Sequence, residues 1–117
     1  KIGTENDEKI TMAVPFYGIR FDKNHTAGNS ATAAAVLYNE TLMDFPQAYT
    51  NDTLETKSQI VIHNGINTLG QKVKKVKEQN NIGIAIWEIS FDHGTGKKSL
   101  IDFIYNAANP TTESVKN

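Results

Sequence analysis

Two stretches of the chain are apolar at nearly every position, and each carries an aromatic residue close to its end. The first stretch is Ile10–Gly18, with Tyr17 near its end, and the second is Ile82–Ser90, with Trp87. Near-continuous apolar runs are typical of strands in a parallel sheet that is covered on both faces. Because such sheets place their ligand sites at the carboxyl ends of the strands, the pattern predicts a site near the two aromatic residues.

Alternation divides the first strand, predicted over about residues 9–18, into two different faces. One face carries Ala13, Pro15 and Tyr17, and the other carries bulkier side chains that we expect to meet helices: Met12, Val14 and Phe16. In the second strand Trp87 likewise shares its face with the small Ala85. Pro15 is unusual inside a sheet because proline lacks the backbone donor of the ladder.

Helices and one further strand are predicted between and after these two stretches. An alanine-rich segment predicts a helix over about residues 30–44, and Gln59–His63 predicts a short strand that ends at a turn. The clearest helix begins at Ile66, where apolar residues recur at spacings of 3, 4 and 3. Ser99 can cap a last helix, and we expect residues 108–117 to form a flexible tail.

This order of elements predicts an α/β fold made of two strand–helix units, within residues 1–107, with an insertion at about residues 19–65. Two parallel strands alone leave open edges and an uncovered face. We therefore expect the unit to be completed by the rest of a larger sheet or by self-association.

Composition excludes several classes of function. The chain has 117 residues and a formal net charge of -1, which argues against nucleic acid or an anionic membrane as a partner. It has no cysteine, and no apolar run is long enough for a transmembrane helix. His25, His63 and His93 lack the spacing of metal ligands, so no metal or other cofactor is expected.

The loop His93–Ser99 connects a strand to a helix and contains two glycines, as a phosphate-binding loop does. The match fails in detail, since Phe91 stands where the first glycine belongs and Lys98 stands where a serine or threonine belongs. A small α/β domain that binds phosphate stays open as an alternative interpretation.

The two apolar stretches resemble the family-18 glycoside hydrolases, the family of chitinases and endo-β-N-acetylglucosaminidases. Val14–Gly18 is similar to the seventh strand of their (β/α)8 barrels, Gly83–Asp92 to the eighth, and Ser99-Leu100 to the start of the last helix. The resemblance spans about residues 9–107. It implies that the chain supplies strands seven and eight of a TIM barrel, with their helices and a small insertion.

The resemblance also implies roles for individual residues. Trp87 would lie beneath the sugar at the cleavage point, and Tyr17 would contact the sugar; the residues alone also allow a core tryptophan and a buried tyrosine. Glu88, Asp92 and Arg20 are possible supporting residues. From the residues themselves, Glu88 is expected to be structural, and Asp92 is expected to organise the loop that follows the strand.

Two departures from the family pattern limit what this chain can do. Family members usually carry arginine directly after the Tyr-Gly pair, whereas here Ile19 intervenes and Arg20 follows. The spaced aspartates that end in the catalytic glutamate do not occur in the sequence. We therefore expect this chain to contain no catalytic residue and to be inactive alone.

The implied function is that of the C-terminal part of a chitinase-like hydrolase acting on β-1,4-linked N-acetylglucosamine. Hydrolysis would be substrate-assisted and retaining, and this chain would contribute sugar-binding aromatics but not the acid. The alternative is a non-catalytic, lectin-like relative of the same fold. Either protein is expected to be secreted or held in a bacterial cell envelope, with any export signal upstream of this chain.

Overall fold

The computed structural model describes residues 10–24, 33–80 and 82–110 of the chain. The expected start of the alanine-rich helix and residues 111–117 of the expected tail lie outside these ranges. The strands are β1 (Thr11–Pro15), β2 (Tyr17–Asp22), β3 (Ala34–Leu37), β4 (Thr53–Glu55), β5 (Gln59–Ile62) and β6 (Gly83–Trp87). The α-helices are α1 (Tyr38–Asp44), α2 (Ile66–Glu78) and α3 (Leu100–Ala108), and short 3₁₀ helices cover Pro46–Tyr49 and Ile89–Phe91.

The chain has an α/β fold, and β1 and β6 form the expected parallel pair. Ala13 lies opposite Ala85, and Pro15 lies opposite Trp87. Val14 is buried on the face that carries the bulky residues, and the partly buried Ile86 of β6 packs against the same core. Pro15 is the last residue of β1, which is a position where a strand tolerates the missing backbone donor.

The expectation of one strand over residues 9–18 is wrong. β1 ends at Pro15, and after Phe16 the chain enters a second, antiparallel sheet as β2; the order of that sheet is β3-β2-β5-β4. Phe16 joins the two sheets, because its N–H donates to the carbonyl of Trp87 at 2.7 Å and its carbonyl accepts from the N–H of Tyr38 at 3.1 Å. The change of partner strand depends on these distant contacts and has no local sequence signal.

The helix expected over residues 30–44 is also wrong in its first half. Ala34–Leu37 is strand β3, which pairs with β2 from Arg20 back to Tyr17, and the helix begins only at Tyr38. Alanine favours a helix by less than about 1 kcal/mol per residue relative to most other residues. A ladder with a neighbouring strand outweighs that preference.

The two longer helices agree with the sequence pattern. In α2 the buried residues are Leu69, Val73 and Val76. Ser99 caps α3, since its side chain accepts from the N–H of Asp102. The core lies on the helix side of both sheets, and its largest fully buried apolar side chains are Val14, Phe16, Tyr38, Leu54, Leu69 and Leu100.

Candidate functional site

Both sheets leave one face uncovered, on the same side of the chain. Val14, Phe16 and Gly18 are all buried, so the alternation of side chains continues from β1 into β2 without interruption. Pro15, Tyr17 and Ile19 therefore lie on the opposite side. We call this surface the open face; cross-strand pairing assigns to it Thr11, Ala13, Pro15, Tyr17, Ile19, Phe21, Ala35, Leu37, Thr53, Glu55, Ile60, Ile62, Gly83, Ala85 and Trp87.

Trp87 is the most exposed aromatic side chain of the open face. It ends β6 with 66% of its surface accessible, and the residues before it on the same face, Gly83 and Ala85, are small and exposed. The peptide bond from Trp87 to Glu88 is cis. Large apolar side chains seldom remain this exposed without a binding role when they belong to a wider apolar surface.

Tyr17 lies at the neighbouring strand end. It is half-buried, begins β2 two residues beyond Pro15, and pairs across the sheet with Leu37. Since Pro15 is the register partner of Trp87, the structure brings the backbones of the two predicted aromatic residues to the same end of the parallel pair. Within the described ranges no hydrogen bond ties the Tyr17 hydroxyl to another residue.

The antiparallel sheet adds apolar residues that the sequence analysis did not single out. Ile19 of β2 and Ile62 of β5 lie opposite each other and are 40% and 48% exposed. With Ala35 and Thr53 they form one line across the four strands, which we call the central row. The alternation of Tyr17, Ile19 and Phe21 is a signal for this strand, but the sequence analysis ends the first strand at Gly18 and begins an insertion at Ile19.

Arg20 does not share the face of Tyr17. As the third residue after Tyr17 in a strand, it lies on the other side of the sheet, where it lines a groove of about 350 Å³ between the sheet and α1. Glu40 and Asp44 of α1 line the same groove. The extra residue at Ile19 thus directs the arginine away from Trp87.

Asp92 organises the turn into α3. One of its carboxylate oxygens accepts from the N–H groups of His93 (2.7 Å) and Leu100 (2.8 Å), and the other accepts from the Ser99 hydroxyl (2.8 Å) and the Ile101 N–H (2.9 Å). The side chain is buried and fully hydrogen-bonded. Because it already holds the first amides of α3, those amides are not available to a phosphate, which argues against the phosphate-binding interpretation.

Glu88 follows Trp87 and is half-buried. Its carbonyl accepts from the N–H of Phe91, but within the described ranges its carboxylate joins no ion pair or hydrogen bond. Among the described residues, Glu88 therefore has no side-chain partner that would support the expected structural role.

A buried pair of rings connects the antiparallel sheet to the loop before α3. Tyr38 donates its hydroxyl to the carbonyl of Lys98 at 2.7 Å, and its ring stacks on that of His63 at a centroid distance of 6.2 Å. Burial, and then the charge of Asp92, raise the pKa of Tyr38. Burial lowers the pKa of His63, although the hydrogen bond to the Asn51 carbonyl and the charge of Asp52 oppose this.

Asp52 fixes the start of α2 beside this pair. Its carboxylate accepts from the N–H of Gly65 at 2.7 Å and from the Thr68 hydroxyl, and its carbonyl accepts from the N–H of His63 at 2.9 Å. The carboxylate lies where the helix dipole favours a negative charge. The position of the antiparallel sheet relative to α2 therefore depends on one polar network.

Two further observations concern other kinds of site. Over the residues that the structure describes, no three histidine or carboxylate side chains come together in a group that could hold a metal ion. Over the same residues, none of the helices has the length and apolar content needed to cross a bilayer.

No protein-family model matches the sequence, and no curated protein matches it. Solved structures do match, among them the GH18 chitinase ChiB from the chitin utilization locus of Flavobacterium johnsoniae. The match has 28% identity and a TM-score of 0.66 over 87% of this chain. This chain is related to the family-18 glycoside hydrolases. It spans 29% of the length of that chitinase.

Two other solved structures of similar fold are those of a pseudo-chitinase and an agglutinin. Human YKL-39, a pseudo-chitinase with retained chitooligosaccharide binding, is 20% identical with a TM-score of 0.66 over 86% of this chain and 35% of its own. The chitinase-like agglutinin of Robinia pseudoacacia is 21% identical with a TM-score of 0.61 over 87% of this chain and 33% of its own. At these identities the likeness extends to the fold alone.

Proposed function

We propose that this chain is the C-terminal part of a chitinase-like (β/α)8 barrel and binds β-1,4-linked N-acetylglucosamine on its open face. Trp87 carries the proposal: its indole is largely exposed at a strand end, above small residues, and beside the strand that leads to Tyr17. The flat apolar side of a sugar ring packs well against an aromatic ring, and small neighbours leave room for it.

In a whole protein of this kind, hydrolysis would use the acetamido group of the substrate and retain the anomeric configuration. The acid would come from outside this chain, because the aspartate–glutamate motif of the family is absent from the sequence. The contribution of this chain is then binding and orientation of the sugar.

A non-catalytic, lectin-like protein is the second candidate. Two structurally similar proteins support it, namely a pseudo-chitinase and an agglutinin. Both candidates place the sugar on the same residues of this chain. The sequence that precedes these residues in the whole protein separates the candidates, since an intact or degraded acid motif would lie there.

The parallel pair supports a proposal about partners. Gly83 and Ala85 expose a small-residue face, and a groove of about 420 Å³ runs between β6 and α3, where Ile84 and Tyr105 contribute to its lining. Further strands of a barrel, or a second copy, would cover these apolar surfaces. By analogy with chitinases, we place the protein outside the cell or in the cell envelope.

Calorimetric titration of the chain with the tetramer of N-acetylglucosamine tests the proposed site. We expect binding that Trp87→Ala weakens about tenfold or more, because an aromatic side chain contributes a large part of such a contact. Tyr105→Ala is the matched control, since Tyr105 is also 66% exposed but belongs to α3. The proposal fails if the tetramer does not bind, or if it binds the Trp87 variant as well as the wild type.

A further inference from the structure

A line of backbone hydrogen bonds connects Trp87 to the start of α1. The Trp87 carbonyl accepts from the N–H of Phe16 at 2.7 Å, and the Phe16 carbonyl accepts from the N–H of Tyr38 at 3.1 Å. Tyr38 is the first residue of α1, and both it and Phe16 are 1% exposed. The backbone at the end of β6 is thus attached to α1 through two fully buried residues.

The same turn of α1 also holds the segment that follows Trp87, residues 88–99, which leads from β6 to α3. The Tyr38 hydroxyl donates to the carbonyl of Lys98 at 2.7 Å, near the end of this segment. Asn39 Nδ2 donates to the carbonyl of Ser90 at 3.4 Å, near its start. Lys98 has a φ of 73°, which residues other than glycine seldom adopt. The hydrogen bond from Tyr38 therefore stabilises a backbone conformation that is unfavourable by itself.

The Trp87 side chain itself has little to pack against on its own strand. It is 66% exposed, and the residues before it on the same face of β6 are the small Gly83 and Ala85. The orientation of the indole therefore depends on the backbone at the end of β6 and on the segment beyond it. A ring that is already held in its binding orientation loses less conformational entropy when a sugar stacks on it.

We propose that Tyr38 is a positioning residue for the sugar site. Its hydroxyl, through the Lys98 carbonyl, and its N–H, through Phe16, hold the Trp87 indole in the orientation that binds the saccharide. This inference rests on the proposed function. It gives α1, which lies in the insertion, a role in binding that requires no contact between α1 and the sugar.

Tyr38→Phe tests the proposal, because it keeps the buried ring and removes only the hydroxyl. The chain has a single tryptophan, so tryptophan fluorescence reports on Trp87 alone. We expect the variant to show a lower fluorescence anisotropy than the wild type, because the indole moves more freely. By calorimetry it should bind the tetramer of N-acetylglucosamine about three- to tenfold more weakly, the factor that one hydrogen bond commonly contributes. The control is Tyr105→Phe, at an exposed position on α3, which should leave both measurements unchanged.

A hydroxyl with a structural role alone would change a different quantity. Tyr38→Phe would then lower the urea midpoint but leave the anisotropy and the affinity of the folded variant unchanged, and that result overturns the proposal. If Tyr38→Phe loses its far-UV circular dichroism, Asn39→Ala carries the same test with a smaller decrease in both measurements. No binding of the tetramer by the wild type overturns the proposed function, and the anisotropy alone then decides whether Tyr38 positions Trp87.

Discussion

The parallel pair and the antiparallel sheet lie next to each other in one chain, yet their open faces differ. On the parallel pair the exposed residues before Trp87 are small, namely Ala13, Gly83 and Ala85. On the antiparallel sheet the two central strands expose large residues, Ile19 and Ile62, whereas the edge strands expose Ala35, Thr53 and Glu55. Small residues allow other side chains to approach closely, whereas large ones already form a surface of their own.

The two regions also differ in the contacts that attach them to the rest of the chain. The strand pair of β1 and β6 is covered by α2, against which α3 packs, and the turn into α3 depends on the Asp92 carboxylate. The antiparallel sheet is attached through the backbone hydrogen bonds of Phe16 and through the Asp52 carboxylate, which holds the start of α2. The comparison predicts that substitutions can loosen either region selectively, and hydrogen exchange read by mass spectrometry can report on each region separately.

Removal of the Asp92 carboxylate should have the largest effect. Asp92→Ala leaves three backbone N–H groups and the Ser99 hydroxyl without their acceptor in a buried position. We expect a loss of about 3 kcal/mol or more in the free energy of unfolding, measured by urea denaturation. Exchange should rise first in residues 92–108.

Asp92→Asn is the matched variant, because its amide keeps the shape and one acceptor oxygen. It should lose about half as much free energy as Asp92→Ala. Equal stability of Asp92→Ala and the wild type would contradict the structural role that the hydrogen bonds indicate.

Gly18→Ala should have the next largest effect, in the antiparallel sheet. A Cβ atom there would lie 2.6 Å from the carbonyl oxygen of Ile62 and 2.8 Å from Cβ of His63. Such overpacking costs about 1–3 kcal/mol, so the urea midpoint should fall and exchange should rise in β2 and β5. The control is Gly70→Ala in α2, where a Cβ would make ordinary contact with Phe103 at 3.5 Å. This control should gain about 0.5–1 kcal/mol from helix propensity, and a larger loss in α2 than in β2 would reverse the comparison.

The sequence predicted the parallel pair and the two longer helices because their signals are local. Apolar spacing in α2 and the cap at Ser99 depend only on nearby residues. The break at Phe16 could not be predicted in this way, because alternation runs through it unchanged and only distant partners differ. The strand at Ala34–Leu37 was missed for a related reason, since its pairing with β2 overrides the helix preference of alanine.

The part of the site that depends on nearby sequence could be predicted, whereas the part that depends on strand pairing could not. Trp87 and Tyr17 follow from the rule that ligand sites lie at strand ends, and the structure places the end of β1, two residues before Tyr17, beside the end of β6. Their contact with a sugar stays a prediction. Ile62 could not be placed beside Ile19 before the register of β2 and β5 was known.

Acidification should loosen the antiparallel sheet before the parallel pair, with the smallest of the three effects. Burial lowers the pKa of His63 in the folded chain, whereas in the unfolded chain the pKa stays near 6.5. At pH values between the two, the unfolded chain binds more protons than the folded chain. Protonation of His63 therefore does not reduce the free energy of unfolding above about pH 6.5. Below that pH the free energy of unfolding falls by at most about 1.4 kcal/mol per pH unit. The groups that face the ring are Asp52, Tyr38 and the Asn51 carbonyl, and the charge of Asp52 reduces the effect without changing its sign.

Urea midpoints at about pH 7.5 and about pH 5.5 test this prediction. The difference between the two midpoints should be larger for the wild type than for His63→Gln. The control is His93→Gln, at an exposed position, which should show the same difference as the wild type. If His63→Gln keeps the full pH dependence, then carboxylates elsewhere, rather than the ring between the two regions, set the acid limit of the fold.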